Sequence, residues 1–153
     1  SANHYICGYL MSKLLTSLIP AQGELAVLQA IRIGDQSANT SILRRKGAYA
    51  YLKEVGFKSR IHNLLFSAYD MEQNEEKMRG FFKTHNNVKG VIVLNSRGNI
   101  VANVLKKTQI DDVRLVALDL TDSNVESLRE DKISFLIGIY GYEDIVRTYG
   151  FKS

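Results

Sequence analysis

Two hydrophobic periods alternate along this chain from end to end, and that alternation restricts its fold more than any other feature. Short apolar runs bounded by turn residues, such as VKGVIVL at Val88 to Leu94, have the length and composition of strands buried on both faces. Between them lie longer stretches with apolar residues at i, i+3 and i+4, the spacing of one helix face. Strand and helix in alternation predict an α/β fold: a doubly wound, mostly parallel five-stranded sheet of Rossmann-like type with helices on both faces and right-handed crossovers.

The elements follow in order. Leu10, Met11, Leu14, Leu15 and Leu18 mark an opening helix that Pro20 stops. Glu24 to Arg32 reads as the first strand, and Thr40 to Glu54 as a helix closed by Gly56 in the left-handed position. Arg60 to Ser67 is the second strand. Asp70 to His85 is a helix in which Asp70 and Gln73 have capping-box spacing. Val88 to Leu94 is the third strand, and Ile100, Val101, Val104 and Leu105 form one face of a helix ending near Thr108. Val113 to Leu118 is the fourth strand, Ser123 with Glu126 offers a second capping box, and Lys132 to Gly138 is the fifth strand. No internal repeat, linker or low-complexity tract divides residues 1–153, so they read as one domain.

Composition narrows the function classes. The single cysteine, Cys7, excludes an internal disulfide framework and a cysteine-based zinc site. No apolar run reaches the roughly 20 residues that a membrane span needs, and the N-terminus lacks a signal-peptide pattern. The formal charge of +4 comes from 20 basic and 16 acidic residues interspersed along the sequence. The short basic clusters, Arg44-Arg45-Lys46 and Lys106-Lys107, fall on helices, where a solvated face is the ordinary explanation. No helix-turn-helix or zinc-finger pattern is legible, so any DNA-binding head is expected outside this chain.

In an open parallel sheet the ligand lies beyond the carboxyl ends of the strands, at a topological switch point. The residues just after the strands are Asp35, Gln36 and Ser37; Tyr69 and Asp70; Asn95 and Ser96; Asp119; and Ile139 and Tyr140. Short hydrogen-bonding side chains with an aromatic ring suit a neutral polyhydroxylated ligand, whose hydroxyls need donors and acceptors together. Taken singly, Asp70 and Ser123 are equally well explained as helix caps and the others as turn formers.

Enzyme readings lack their required parts. The first strand is followed by IRIGDQSAN rather than a GxGxxG fingerprint, and no GxxxxGK[ST] or GxSxG motif occurs. A phosphoacceptor receiver would need an Asp ending the third strand, where Asn95 stands. His4, His62 and His85 have no metal-binding spacing, and structural or solvated roles are expected for them. Neither catalysis nor a metal or other cofactor is expected.

Five segments in order resemble the C-terminal part of the effector-binding domain of LacI/GalR-type regulators, which has the periplasmic-binding-protein-like type I fold. NHYICGYLMSKLL is similar to the family's opening segment with a mid-helix Gly, and NTSILRRKGAYAYLKE to its S-x-x-x-R-x-x-G helix. VKGVIVLNSRG, VRLVALDL and KISFLIG are similar to its strands ending in Asn, in Asp and before a Gln. The resemblance spans about residues 3 to 139. Two departures stand out: Ile139 replaces that Gln, and YGYEDIVRTYGFKS fits the family's Glu-Gln-Gly helix only loosely.

The resemblance implies that the chain is one lobe of a bilobal domain, with an upstream lobe and any DNA-binding head lying before residue 1. It implies that Arg44 points into the ligand cleft, that Asn95 and Asp119 add polar contacts, and that Asn3 lies near the cleft; Tyr69 is the expected aromatic contact. The implied function is sugar sensing by a cytoplasmic transcriptional regulator, bound to DNA only through a domain outside this chain. The alternative is a lobe of a periplasmic sugar-binding protein serving a transporter or sensor kinase. A homodimer is expected through exposed Ile, Leu and Met on the first and last helices.

Overall fold

The computed structural model of the chain describes residues 2–32, 38–140 and 145–150. Its elements run α1 (Ala2–Thr16), β1 (Glu24–Ile31), α2 (Ala38–Glu54), β2 (Ile61–Ser67), α3 (Met71–Thr84) and β3 (Val88–Val93). They continue with α4 (Gly98–Lys107), β4 (Arg114–Leu118), α5 (Asp122–Arg129), β5 (Phe135–Tyr140) and β6 (Ile145–Gly150). The strands form one sheet in the order β2-β1-β3-β4-β5-β6, parallel throughout except for β6, which runs antiparallel to β5.

Helices cover both faces, as the continuous apolar runs require. On one face Cys7, Met11 and Leu15 of α1 and Ala48 and Leu52 of α2 pack on Leu25, Val27, Ile92 and Leu94. On the other, Met78 and Phe82 of α3, Val101 and Leu105 of α4 and Leu128 of α5 pack on Ala26, Leu28, Val91 and Val93. Successive residues of β3 thus point into different cores, which is why the run has no polar alternation.

The strand order creates the switch point. From β1 the chain passes through α2 on one face to β2 at the sheet edge; α3 then returns it on the other face to β3, beyond β1. The carboxyl ends of β1 and β3 therefore border a crevice from which the connections diverge.

Helices α1 and α2 meet backbone to backbone. A methyl group at Gly8 would lie 1.7 Å from the Arg44 carbonyl oxygen, and one at Gly47 would lie 1.9 Å from that of Tyr5. Only glycine permits that approach. The Ser12 hydroxyl then donates 3.0 Å to the Ala48 carbonyl oxygen in the buried seam.

Four local expectations are corrected. The sheet has a sixth strand where the sequence suggested at most a loosely matching helix: IVRTYG is rich in β-branched and aromatic residues, and an antiparallel neighbour needs only a short return. Strand β5 starts at Phe135 rather than Lys132, because the N–H groups of Asp131, Lys132 and Ile133 still close α5 by bonding to Leu128 and Ser127 carbonyls. The cap of α5 is Thr121, whose extended backbone precedes the helix and whose hydroxyl accepts from the Asn124 N–H; Ser123 is already inside. Asp70 does cap α3 by accepting from the Gln73 N–H at 3.0 Å, but its own N–H donates to the Ser67 hydroxyl, not to Gln73.

Candidate functional site

At the carboxyl edge beside the β1–β3 switch point, the glycine-mediated crossing brings the start of α1 against the first turns of α2. Arg44, one turn along α2 from Ser41, is only 8% exposed. Its Nη1 donates 2.8 Å to the Leu94 carbonyl oxygen at the end of β3, and its Nη2 lies 3.1 Å from His4 Nδ1 on α1. A planar guanidinium suits this bridging because its N–H groups diverge in a fixed fork.

Three buried polar atoms here find no partner among the described residues: Asn3 Nδ2, Ser41 Oγ and Arg44 Nε. Leaving such a group unpaired costs about 1–3 kcal/mol, and native structures carry few of them. All three can donate, so each can take an oxygen acceptor.

Asp119 supplies the complementary charge. It sits half-buried just beyond β4 with φ 79°, a left-handed backbone that costs a non-glycine residue about 1–2 kcal/mol. Burial pushes its carboxyl above the ordinary aspartate range, while the Arg44 guanidinium, and then His4, pull it back. Burial lowers the Arg44 value and Asp119 opposes that shift. The Cys7 thiol, buried beneath them, is pushed up by burial, which makes it a poor nucleophile. Arg44 and Asp119 thus set opposite charges at this edge, beside the free donors of Asn3 and Ser41, a set of groups that can hydrogen-bond hydroxyls.

The sequence-derived residues divide accordingly. Arg44 and Asp119 interact electrostatically, and Asn3 is buried next to His4, the residue of α1 that Arg44 meets. Asn95 lies at the same edge, but its amide is engaged by the Ala30 backbone: Nδ2 donates 2.8 Å to the carbonyl oxygen, and Oδ1 accepts from the N–H at 3.3 Å. It pins β1 to β3. Tyr69 follows β2, which lies three strand spacings from β4, about 14 Å. It is 67% exposed and lines a separate groove of about 380 Å³ with Ile31, Leu65, Phe66 and Lys77. Asp70 is a helix cap, and the Ser96 carbonyl accepts from Asn124. Asp35, Gln36 and Ser37, and the side chains of Ile139 and Tyr140, lie outside the described residues.

Sequence reasoning did not select Ser41 or His4 for the site. Ser41 could have been found from its i, i+3 spacing to Arg44, which puts both on one face of α2. A hollow of about 440 Å³ opens elsewhere, where α3 and α4 finish at the amino ends of the strands. Arg79 and Lys83 line it together with Asp111 and Asp112, and among the described residues no buried unpartnered group lines it.

A mostly parallel sheet covered on both faces, with a polar cluster at its carboxyl-edge switch point, is the lobe architecture of periplasmic-binding-type proteins. The model of the periplasmic binding protein domain matches residues 1–143, and the chain belongs to that family. No curated protein matches its sequence. Among solved structures, a Bacteroides fragilis protein assigned as a LacI transcriptional regulator is 28% identical with a TM-score of 0.81, covering 90% of this chain and 47% of that one. GanP, a glucose-galactose binding protein from Geobacillus stearothermophilus, is 19% identical with a TM-score of 0.69, covering 88% of this chain and 47% of that one. An ABC transporter periplasmic solute binding protein from Actinobacillus succinogenes, solved with bound D-allose, is 20% identical with a TM-score of 0.70, covering 89% and 47%. The chain spans just under half the length of each of these relatives.

Proposed function

We propose that this chain is the effector-sensing lobe of a two-lobed LacI-type regulator, in which a sugar binds at the carboxyl edge and closes a second lobe over it. The observation that carries the reading is the cluster of buried unpartnered donors on Asn3, Ser41 and Arg44, with the Asp119 carboxylate as the complementary charge. Sugar hydroxyls accept from the first set and donate to the second. The 28% identity and TM-score of 0.81 to the Bacteroides fragilis protein favour the regulator. Sugar-binding transport proteins share the fold at lower identity and support the alternative, an exported binding protein. A helix-turn-helix encoded upstream distinguishes the first, a signal peptide the second.

In this reading the lobe binds and does not catalyse. Sugar binding shifts a pre-existing open–closed equilibrium by the difference in affinity between the two states, and DNA is bound only through a separate head. The regulator is cytoplasmic and dimeric, with the exposed Tyr5 and Ile6 of α1 available for the dimer contact. The other suggested surface, α5, keeps Leu128 buried and Val125 half-buried.

The test is calorimetric titration of a panel of neutral aldoses and sugar phosphates against the full-length gene product, with Arg44→Ala in parallel. One neutral sugar is expected to bind. Arg44→Ala is expected to weaken it about 10- to 100-fold, the range for losing hydrogen bonds to a charged donor. Binding of no sugar would remove the reading.

A further inference from the structure

Asn124, on the first turn of α5, is fully buried, and its side-chain amide is engaged on both sides. Its Oδ1 accepts from the Asn99 N–H at 2.9 Å, at the start of α4. Its Nδ2 donates to the carbonyl oxygens of Leu118 at 3.0 Å, Asp119 at 3.0 Å and Ser96 at 3.2 Å. One side chain therefore touches both turns that leave β3 and β4. The Asp119 N–H donates 2.8 Å to the Ile137 carbonyl oxygen, so this left-handed residue is held from β5 and from α5 together.

A similar arrangement occurs at the sheet edge. There buried Asn74 of α3 accepts from the Ser67 N–H at 2.8 Å and donates to the Ser67 carbonyl at 2.7 Å. Asn74 holds a turn that carries no member of the cluster, whereas the Asn124 turn carries Asp119. A helix cap alone does not account for Asn124, because Thr121 already caps α5 by accepting from the Asn124 backbone N–H. Only a planar amide supplies both an acceptor for Asn99 and donors for the three carbonyls at this position.

We propose that Asn124 is a positioning residue of the binding site: its amide holds Asp119 in the left-handed conformation and couples that turn to the Ser96 turn, setting where the carboxylate stands relative to Arg44. The inference rests on the binding reading above for its purpose, but its test uses no ligand, so the two fail independently.

Backbone amide exchange and the Asp119 carboxyl titration are followed by NMR in the chain, in Asn124→Ala, and in Asn124→Asp, which keeps the acceptor but loses the amide donors. Both variants are expected to raise exchange at least 10-fold at Asp119, and Asn124→Ala, which also loses the acceptor, at Asn99 as well, while leaving Val91 and Val116 within 2-fold. The Asp119 carboxyl, which faces Arg44, His4 and Cys7, is expected to titrate nearer the ordinary aspartate range as its turn loosens into solvent. An even rise in exchange across the sheet, or an unchanged Asp119 titration in both variants, would overturn the proposal. Failure of both variants to fold would make Asn124 a structural residue and overturn it equally.

Discussion

Replacing Gly8 by alanine tests the backbone crossing that brings α1 and α2 together at the site. The added methyl carbon would stand 1.7 Å from the Arg44 carbonyl oxygen and 2.6 Å from its carbonyl carbon, where ordinary contact begins at 3.4 Å. The obstacle is main chain within a helix, so no side-chain rotation relieves it, and the helices must separate by about 1.5 Å. Alanine gains about 1 kcal/mol of intrinsic helix propensity over glycine. Overpacking of a dense seam costs about 1–3 kcal/mol, and a backbone obstacle puts Gly8→Ala at or above the top of that range. The expected net loss is about 2 kcal/mol, or a Tm lowered by about 6 °C in a chain of this size. Gly80, inside α3, has nothing within 4 Å of a built methyl and provides the internal control. Gly80→Ala is expected to stabilise by about 0.5–1 kcal/mol through propensity alone. Urea and thermal unfolding of the three proteins measure both effects. If Gly8→Ala stabilised the protein as much as Gly80→Ala, the close helix crossing would be refuted.

Two further outcomes are expected. Thr121→Ala is expected to cost about 1 kcal/mol in urea unfolding because it removes the α5 cap, whereas Ser123→Ala stays within about 0.5 kcal/mol; the opposite ranking would return the cap to Ser123. The raised carboxyl of Asp119 means that the folded chain holds this proton to higher pH than the unfolded chain does. Its contribution is therefore most favourable below the unfolded aspartate value and falls as pH rises through the higher folded value. Unfolding measured across that window is expected to show a downward slope in the chain that is absent in Asp119→Asn, and equal slopes would contradict the assignment.

The residues that sequence reasoning located well are those governed by short-range pattern. The continuous apolar run of β3, the 3.6-residue period of α4 and Gly56 with its φ of +68° are each set within a few neighbours. Arg44 was singled out in the sequence by the resemblance of its helix, but its bond to the Leu94 carbonyl joins residues 50 positions apart and is not legible there. The 65-residue link by which Asn95 clamps β3 to Ala30 of β1 is equally invisible in a linear reading.

Tyr69 shows the limit most directly. A residue just after a strand belongs to the crevice only when that strand borders it, and β2 lies at the edge of the sheet. Local pattern determines where strands begin and end, because side-chain period and turn chemistry act over a few residues. Which strands lie side by side, and hence which of their following residues converge, is decided by packing between distant segments. The amino-acid sequence by itself therefore determined the alternating elements, the two buried faces and a short set of polar residues at strand ends. Only the tertiary structure set Arg44 against His4, the Leu94 carbonyl and Asp119, because the strand order and the Gly8–Gly47 crossing depend on contacts between segments far apart in the chain.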